Sequence, residues 1–341
     1  MNQPTPQDKP AGATWTPLTG LPEDAENWTL PGYDDLAAEL NECINRITDK
    51  NIDKTLLDIW LTERRREFAI ETGQIEGLYT LKRGVTEQLI TEGLHQVRAA
   101  HTVENIDDKT IKGLLEDQET ALELIFDDIK DNKPLTHYTI KSWHQLLTRH
   151  QATVTALLAD EHGRTQRVQR PFTNKGQYKT QSNNPRRPDG IVHEYCPPEH
   201  VQAEMDRFLA LYQDIRERNL PTHVEAGWLH HRFVRTHPFR DGNGRVSRQL
   251  VACAYLRKGE PSPIVTTEMR DTYIDALETA DEGNLKFFCD YLGTLATIQI
   301  RAVINTSRKV LSGIQRRVHG NGGVTNKGVY YPPENTDSDI R

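Results

Sequence analysis

Apolar residues recur every three or four positions along most of the chain, a spacing that places them on one face of a helix. The first run begins near Asp34 and the second near Leu56. Runs with the same period predict further helices at about 86–94, 108–130, 133–151, 198–218, 222–237, 244–259, 267–280 and 284–312. The pattern therefore predicts an all-α protein of eight or more helices.

The helical pattern stops between Thr153 and Pro198, where Arg and Lys are interrupted by Gly, Pro and Asn. Two short runs, "KGQYKTQSN" (175–183) and "GIVHEYCPP" (190–198), flank the turn-prone string "NPRRPDG". They predict a small β-hairpin at about 176–195. The preceding string "LADEHGRTQRVQRPFTN" is long, and the sequence assigns it no function.

Composition divides the chain into four parts. Residues 1–32 are rich in Pro, Gly and Thr, which predicts a flexible N-terminal arm. N-terminal helices should occupy 33–105 and the main helical core 106–314, and the Gly-rich end, 315–341, is expected to be a flexible tail.

Charge and cysteine content narrow the class of protein. The 42 Lys and Arg against 49 Asp and Glu give a net charge of −7, which argues against binding to nucleic acid or to an anionic membrane. The four cysteines have no CxxC spacing, so structural zinc and a disulfide framework are not expected. No signal peptide or apolar run of membrane-spanning length is evident, which predicts a cytoplasmic protein.

The string "THPFRDGNGRVSRQL", residues 236–250, carries the strongest chemical signal. Its Asp-Gly-Asn-Gly turn directly precedes an apolar-faced helix, so exposed backbone N–H groups and the helix N-terminus should form a phosphate site. Arg245 and Arg248 lie three positions apart and should point toward that anion. Asp241 is a candidate ligand for Mg²⁺, and His237 is a candidate general base. Each residue alone also fits a structural role, whereas the combination favours catalysis.

The string "HPFRDGNGR" followed two residues later by Arg248 resembles the signature of the Fic family, HxFx(D/E)GNGRxxR, at every position. The resemblance covers about residues 50–312 and implies a helical fold with a β-hairpin flap. It implies transfer of AMP from Mg²⁺-bound ATP to a Ser, Thr or Tyr hydroxyl of a target protein, which could be the chain itself. The implied base is His237 and the implied metal ligand Asp241. The implied nucleotide-binding residues are Phe239, which also pins the loop, Gly242, Asn243, Gly244, Arg245 and Arg248.

A second string, "TGQIEGLY", begins at Thr72, which is expected to cap a short helix. Thr72, Glu76 and Gly77 resemble the inhibitory (S/T)xxxE(G/N) motif of Fic proteins. The resemblance implies that Glu76 pairs with Arg248 in the place of the γ-phosphate, either within one chain or across a homodimer.

Three functions remain open from the sequence. The first is an adenylyltransferase inhibited by Glu76, and the second is a hydrolase that removes AMP with Glu76 orienting water. The third is a nucleotide-binding regulator without catalysis. A zinc cluster of His223, His230 and His231 with His237 is less favoured than core or helix-face histidines. The spacing is not HExxH, and adjacent histidines on a helix point apart. The basic residues of the predicted hairpin are more typical of a solvated flap than of a nucleic-acid surface.

Overall fold

The computed structural model describes residues 14–49, 52–131, 133–159, 165–185, 192–218 and 220–317. Within these ranges the chain forms ten α-helices and one antiparallel two-stranded sheet. The helices are α1 (Tyr33–Asp49), α2 (Thr55–Ile75), α3 (Val85–Glu92), α4 (Asp108–Lys130), α5 (His137–Leu147), α6 (Val201–Glu217), α7 (Thr222–Thr236), α8 (Asn243–Arg257), α9 (Arg270–Asp281) and α10 (Leu285–Arg317). The strands are β1 (Thr153–Ala159) and β2 (Thr165–Pro171). The prediction of a helical fold with one small hairpin is confirmed.

Helix α7 lies at the centre of the main core and packs against α6, α8 and α10. Its Trp228 and Phe233 are fully buried, as are Phe208 from α6 and Phe288 from α10. Burial of each such side chain contributes about 1.5–3 kcal/mol. Because α7 and α8 are joined by the short loop 237–242, this core holds both ends of the candidate site in place.

Helix α10 is apolar along much of its length. Its segment Leu285–Ser312 is long and apolar enough to cross a membrane by length and composition, contrary to the expectation from the sequence. Half of this segment is buried inside the protein, where α10 packs against α1, α7 and α9. Its composition therefore fits a core helix.

The N-terminal arm is docked from Thr14 onward, so the prediction of a flexible segment is wrong for residues 14–32. Leu18 is buried and its backbone N–H donates to Glu204 Oε2 at 2.7 Å. The indole Nε1 of Trp228 donates to the carbonyl of Thr19 at 3.2 Å. The apolar residues of the arm and these bonds outweigh its Pro- and Gly-rich composition. Residues 1–13 and 318–341 lie outside the described part, so the predicted C-terminal tail is not assessed beyond residue 317.

The hairpin lies upstream of its predicted position. Strand β1 pairs with β2 in a register that places Thr153 opposite Pro171, within the segment to which the sequence assigned no function. In the described parts of 176–195 the backbone is irregular, and the two predicted strands are not found. The reason is that this segment bonds to the loop 237–242 instead: the N–H of Lys179 donates to the carbonyl of Pro238 at 2.8 Å. Residues 186–191 lie outside the described part.

Candidate active site

The loop between α7 and α8 is held from within by Phe239. This side chain is fully buried, and its ring stacks on the imidazole of His144 with centroids 3.7 Å apart and planes 9° apart. The predicted inward packing of Phe239 is confirmed. Its position beneath the loop indicates a structural contribution to the site.

Asn243 closes the loop through its side chain. Its Oδ1 accepts the Phe239 N–H at 2.9 Å, and its Nδ2 donates to the Phe239 carbonyl at 2.8 Å. Gly242 precedes it with φ +79°, and a Cβ at that position would also lie 3.0 Å from Thr148 Cγ2. The turn therefore requires glycine at 242 and an amide at 243.

Helix α8 begins directly after this turn. Its first intrahelical bond runs from the Val246 N–H to the Gly242 carbonyl. The N–H groups of its first turn therefore have no acceptor within the helix, and the positive end of the helix dipole faces the loop. Such a helix N-terminus is suited to an anion, and the predicted phosphate site stays a prediction.

His237 follows α7 with φ 47° and ψ 56°, a left-handed conformation that is uncommon for a residue with a side chain. Its Nδ1 lies 3.2 Å from the Val234 carbonyl, which assigns the proton to Nδ1 and leaves the lone pair on Nε2. Burial, followed by the positive charge of Lys179, holds the pKa of His237 far below its usual value. The imidazole is therefore neutral at physiological pH, and its Nε2 carries a lone pair.

Asp241 lies in the same loop, 237–242, as His237. Its Oδ2 accepts Gln151 Nε2 at 2.7 Å, and its Oδ1 accepts the Gly242 N–H at 2.7 Å. Burial alone would raise the pKa of this carboxyl, but Arg245 and the two hydrogen bonds outweigh burial and lower it. The carboxylate is thus ionised and has lone pairs left for a cation. In the part of the chain that the structure describes, no group of three or more His, Cys, Asp or Glu could hold a metal.

The two arginines of the signature occupy different environments. Arg245 is fully buried: Nη1 donates to the Leu147 carbonyl at 2.9 Å, and Nη2 donates to Gln151 Oε1 at 2.6 Å. Its guanidinium therefore joins α8 to the end of α5 rather than pointing freely at the anion site. Its predicted contact with a phosphate stays a prediction.

Arg248 contacts the end of α2. Its Nη2 donates to Glu76 Oε1 at 2.8 Å and lies 3.3 Å from the Thr72 carbonyl, while its Nε donates to Thr72 Oγ1 at 3.2 Å. Burial alone would lower the pKa of Arg248, but Glu76 and Tyr273 together outweigh burial and raise it. The structure thus brings together two residues that the sequence paired only by resemblance.

The helix preceding Glu76 differs from the prediction. Thr72 does not cap a short helix; it lies in the last turn of the 21-residue α2, where it is buried. The helix ends at Ile75, and Gly77 has φ +67°. Tyr79 packs against the last turns of α2, where its hydroxyl donates to the Ile70 carbonyl at 3.1 Å. A Cβ at Gly73 would lie 2.2 Å from that hydroxyl. This packing fixes the carboxylate in position.

The Glu76 carboxylate lies directly against the first turn of α8. A Cβ placed on Gly244 would be 2.3 Å from Glu76 Oε1, so only glycine admits the carboxylate there. Arg245 Nε lies 3.9 Å from Glu76 Oε2. Glu76 therefore fills the space in which an anion would meet the N-terminus of α8.

Three residues of the site were missed by the sequence analysis: His144, Gln151 and Tyr195. His144 Nδ1 accepts the Gly176 N–H at 2.8 Å, so its Nε2 donates to the Asp241 carbonyl at 2.9 Å. Tyr195 stacks on His237. These residues are distant from the signature in sequence and belong to no motif. The only signal was the polar pair "HQ" at 150–151, at the end of the helix predicted for 133–151.

The three histidines considered for zinc have separate partners. His223 Nε2 lies 2.8 Å from the Trp28 carbonyl, His230 Nε2 lies 2.6 Å from the Tyr273 hydroxyl, and His231 Nε2 lies 2.9 Å from Asp281 Oδ1. Burial lowers the pKa of all three. Each is therefore a neutral core histidine with its own hydrogen bond.

Comparison with known families and sequences finds similarity to Fic proteins. Residues 134–255 match the Fic/DOC family. Protein adenylyltransferase Fic of Aedes aegypti is 39% identical over 67 residues, which are 20% of this chain and 13% of that protein. Protein adenylyltransferase fic-1 of Caenorhabditis briggsae is 32% identical over 120 residues, 34% of this chain and 24% of that protein. The matches thus span less than a quarter of either relative's length.

Solved structures share the fold over a longer range. A Fic domain containing signaling protein from Bacteroides thetaiotaomicron has a TM-score of 0.64 at 22% identity and covers 82% of this chain and 97% of its own. Fic-1 (aa134–508) from C. elegans has a TM-score of 0.57 at 19% identity, with 80% and 71% covered. The signature and the family match together show that residues 134–255 form a Fic domain, of the Fic/DOC family, and the solved structures share its helical fold.

Proposed function

We propose that this chain is a Mg²⁺- and ATP-dependent protein adenylyltransferase that transfers AMP to a Ser, Thr or Tyr hydroxyl of a target protein. The observation that carries the proposal is the neutral imidazole of His237 in the loop that leads into the N-terminus of α8, whose first N–H groups have no acceptor within the helix. This arrangement combines a candidate proton acceptor with a candidate phosphate site. The names of the Aedes and Caenorhabditis relatives point to the same activity.

In the proposed reaction, His237 Nε2 accepts the proton of the acceptor hydroxyl while its oxygen attacks the α-phosphorus of ATP. The new oxygen–phosphorus bond forms as the bond to the β-phosphate bridge breaks, and pyrophosphate leaves. The N–H groups of the first turn of α8 bind the phosphate oxygens, and Arg248 supplies positive charge at the far end of the chain of phosphates. Catalysis would thus depend on positioning and charge, as is general for transfer at phosphorus.

Asp241 is the residue that would hold Mg²⁺. Its carboxylate is ionised and oriented by Gln151 and the Gly242 N–H, and one carboxylate together with phosphate oxygens and waters suits the preference of Mg²⁺. A bound Mg²⁺ would neutralise negative charge on the phosphates.

Glu76 is proposed to inhibit the reaction. Its carboxylate bonds to Arg248 and lies against Gly244, so a third phosphate would compete with it for the guanidinium and for space. Thr72 also bonds to Arg248, through both its hydroxyl and its carbonyl. Removal of Glu76 would therefore free the anion site while Thr72 still holds the guanidinium in place.

A second candidate function is removal of AMP from a modified protein. The observation that favours it is the same carboxylate at the N-terminus of α8, where it could orient a water toward a bound AMP phosphate. In that reaction Glu76 would be required, whereas in AMP transfer it would be inhibitory. The two functions therefore predict opposite effects of its replacement.

The test is labelling of protein by α-labelled ATP and Mg²⁺, with the chain itself and a soluble protein extract as acceptors. Wild type, Glu76→Gly, Glu76→Gly/His237→Ala and the control Glu63→Gly, also on α2, are compared. Labelling that appears with Glu76→Gly, disappears in the double variant and is unchanged in the control supports transfer. Absence of label from a Glu76→Gly protein that binds ATP rejects it. Release of AMP from a labelled protein by wild type, lost in Glu76→Gly, would favour the second function.

A further inference from the structure

Tyr195 has no place in the proposed reaction, yet it lies against the catalytic base. Its ring and the imidazole of His237 stack with centroids 3.7 Å apart and planes 5° apart. Such a parallel contact covers one whole face of the imidazole, and an aromatic pair contributes about 0.5–1.5 kcal/mol beyond the area that it buries.

The segment that carries Tyr195 is tied to the same loop as His237. The Tyr195 N–H donates to Asn184 Oδ1 at 3.0 Å, and the neighbouring Asn183 Nδ2 donates to the Phe239 carbonyl at 2.8 Å. Hydrogen bonds therefore connect the segment that carries Tyr195 to the loop that carries His237, and the stack does not depend on ring contact alone.

Lys179 reinforces this frame from both its backbone and its side chain. Its N–H donates to the Pro238 carbonyl, and its Nζ donates to Asn183 Oδ1 at 2.8 Å. The same ammonium lies 5.8 Å from the centroid of the Tyr195 ring, within range of a cation–π interaction. Lys179 is 3% exposed, so its position is well determined by packing.

The backbone N–H of His237 donates to the Phe233 carbonyl at 2.9 Å, but this bond does not fix the orientation of the imidazole ring. Its left-handed conformation lies outside both flanking helices, and one hydrogen bond, from Nδ1 to the Val234 carbonyl, leaves the ring free to tilt about that contact. A second contact across the ring face removes the tilt. A displacement of about 1 Å in a reacting group can cost up to ~100-fold in rate.

We propose that Tyr195 is a positioning residue for His237: its ring covers one face of the imidazole and holds the Nε2 edge toward the acceptor hydroxyl. The inference rests on the proposed transfer reaction for its catalytic consequence, whereas the protection of the imidazole is a property of the fold alone. Phenylalanine at 195 preserves the stack, and leucine at 195 removes it.

The first measurement is the rate at which diethyl pyrocarbonate modifies His237, which needs no substrate. Trypsin releases residues 236–240 as a peptide in which His237 is the only histidine, so mass spectrometry reports this residue alone. We expect Tyr195→Leu to be modified several-fold faster than wild type, and Tyr195→Phe to match wild type. Tyr138→Leu is the control, because Tyr138 is 81% exposed. Equal rates in all four proteins would overturn the proposal.

The second measurement is AMP transfer with the same substitutions in the Glu76→Gly background. We expect Tyr195→Leu to lower kcat about tenfold, as loss of an aromatic contact of this size allows, with KM for ATP within about twofold. Tyr195→Phe should restore kcat. Equal losses in the Phe and Leu variants, or a change confined to KM, would contradict positioning. One outcome is that the Glu76→Gly parent transfers no AMP although Tyr195→Leu is modified faster by diethyl pyrocarbonate than wild type and Tyr195→Phe is not. In that case the proposed function is rejected, whereas the protection of His237 by the Tyr195 ring is supported.

Discussion

The carboxylate of Glu76 lies 2.8 Å from the guanidinium of Arg248, although 172 positions separate the two residues in the sequence. The pair joins the end of α2 to the first half of α8, and it places a negative charge where a phosphate is expected. Its removal should therefore affect both stability and nucleotide binding.

Replacement of Glu76 by glutamine should lower stability and strengthen the response to nucleotide. Loss of a charge-assisted hydrogen bond at a buried guanidinium should reduce the free energy of unfolding without ATP by about 1–2 kcal/mol. Saturating ATP should then raise Tm more in the variant than in wild type, because the phosphate no longer competes with a carboxylate. Thermal unfolding with and without ATP measures both effects. Glu63→Gln, on the same helix, should show neither, and an equal ATP response in Glu76→Gln and wild type would argue against competition.

Asn243 should be needed for stability as well as for transfer. Alanine at 243 leaves the N–H of Phe239 without its partner inside a buried loop, while the carbonyl of Phe239 keeps only its bond from Asn183. One unsatisfied N–H of this kind should cost about 1–3 kcal/mol in the free energy of unfolding. Urea denaturation of Asn243→Ala against Asn41→Ala, an exposed position on α1, tests this. A loss no larger than in the control would show that the side chain does not hold the loop.

Gln151 should affect the Mg²⁺ concentration that AMP transfer requires. Its amide joins Arg245 to Asp241, so Gln151→Leu removes the bond that orients the carboxylate. Loss of such a supporting contact to a metal ligand typically costs about 10–100-fold in metal affinity. The Mg²⁺ concentration that gives half-maximal AMP transfer in the Glu76→Gly background should rise by that factor, and EDTA should abolish transfer in the parent. An unchanged Mg²⁺ dependence would separate Gln151 from the metal site.

His144 should make the protein sensitive to acid. Burial lowers its pKa to about 3, below the value of about 6.5 in an unfolded chain, so below pH 6.5 the unfolded state binds the additional proton. The stability it contributes is complete above about pH 6.5 and is lost as pH falls toward 3, by up to about 1.4 kcal/mol per pH unit.

The measurement for His144 is urea denaturation at pH 7 and pH 5. Wild type should lose about 1–2 kcal/mol more of its free energy of unfolding over this interval than His144→Gln, which has no proton to gain at position 144. The other buried histidines are common to both proteins and cancel in the difference. Identical losses would mean that His144 does not resist protonation in the fold.

The sequence predicted the helices and the catalytic string, because apolar spacing and the Gly-Asn-Gly turn are local signals. It failed where long-range contacts decide the structure. Thr72 appeared to begin a helix since Thr is a common N-cap, but α2 continues to Ile75 because Phe68, Ala69 and Ile70 are buried against the rest of the protein. The strands expected within 176–195 are replaced by bonds to the loop 237–242, which no local pattern reveals.

The environment of each site residue was even less predictable. Arg245 and Arg248 look equivalent in the sequence, yet one is bonded to Gln151 and the other to Glu76 and Thr72. The difference arises because positions three apart on α8 do not project in the same direction, so the two guanidiniums meet different neighbours. Tyr195 and His144 carry no motif and were found only through their ring contacts.

The docked segment 14–32 has a practical consequence for anyone who prepares fragments of this protein. A truncation at the first helix, Tyr33, would strip the cover from Trp228 and leave Arg218 without the carbonyls of Leu21 and Pro22 that it now bonds. Trp228 lies on α7, nine residues before His237, so the exposed indole would loosen the helix that ends at the base. A fragment that keeps these contacts should therefore start no later than Thr14.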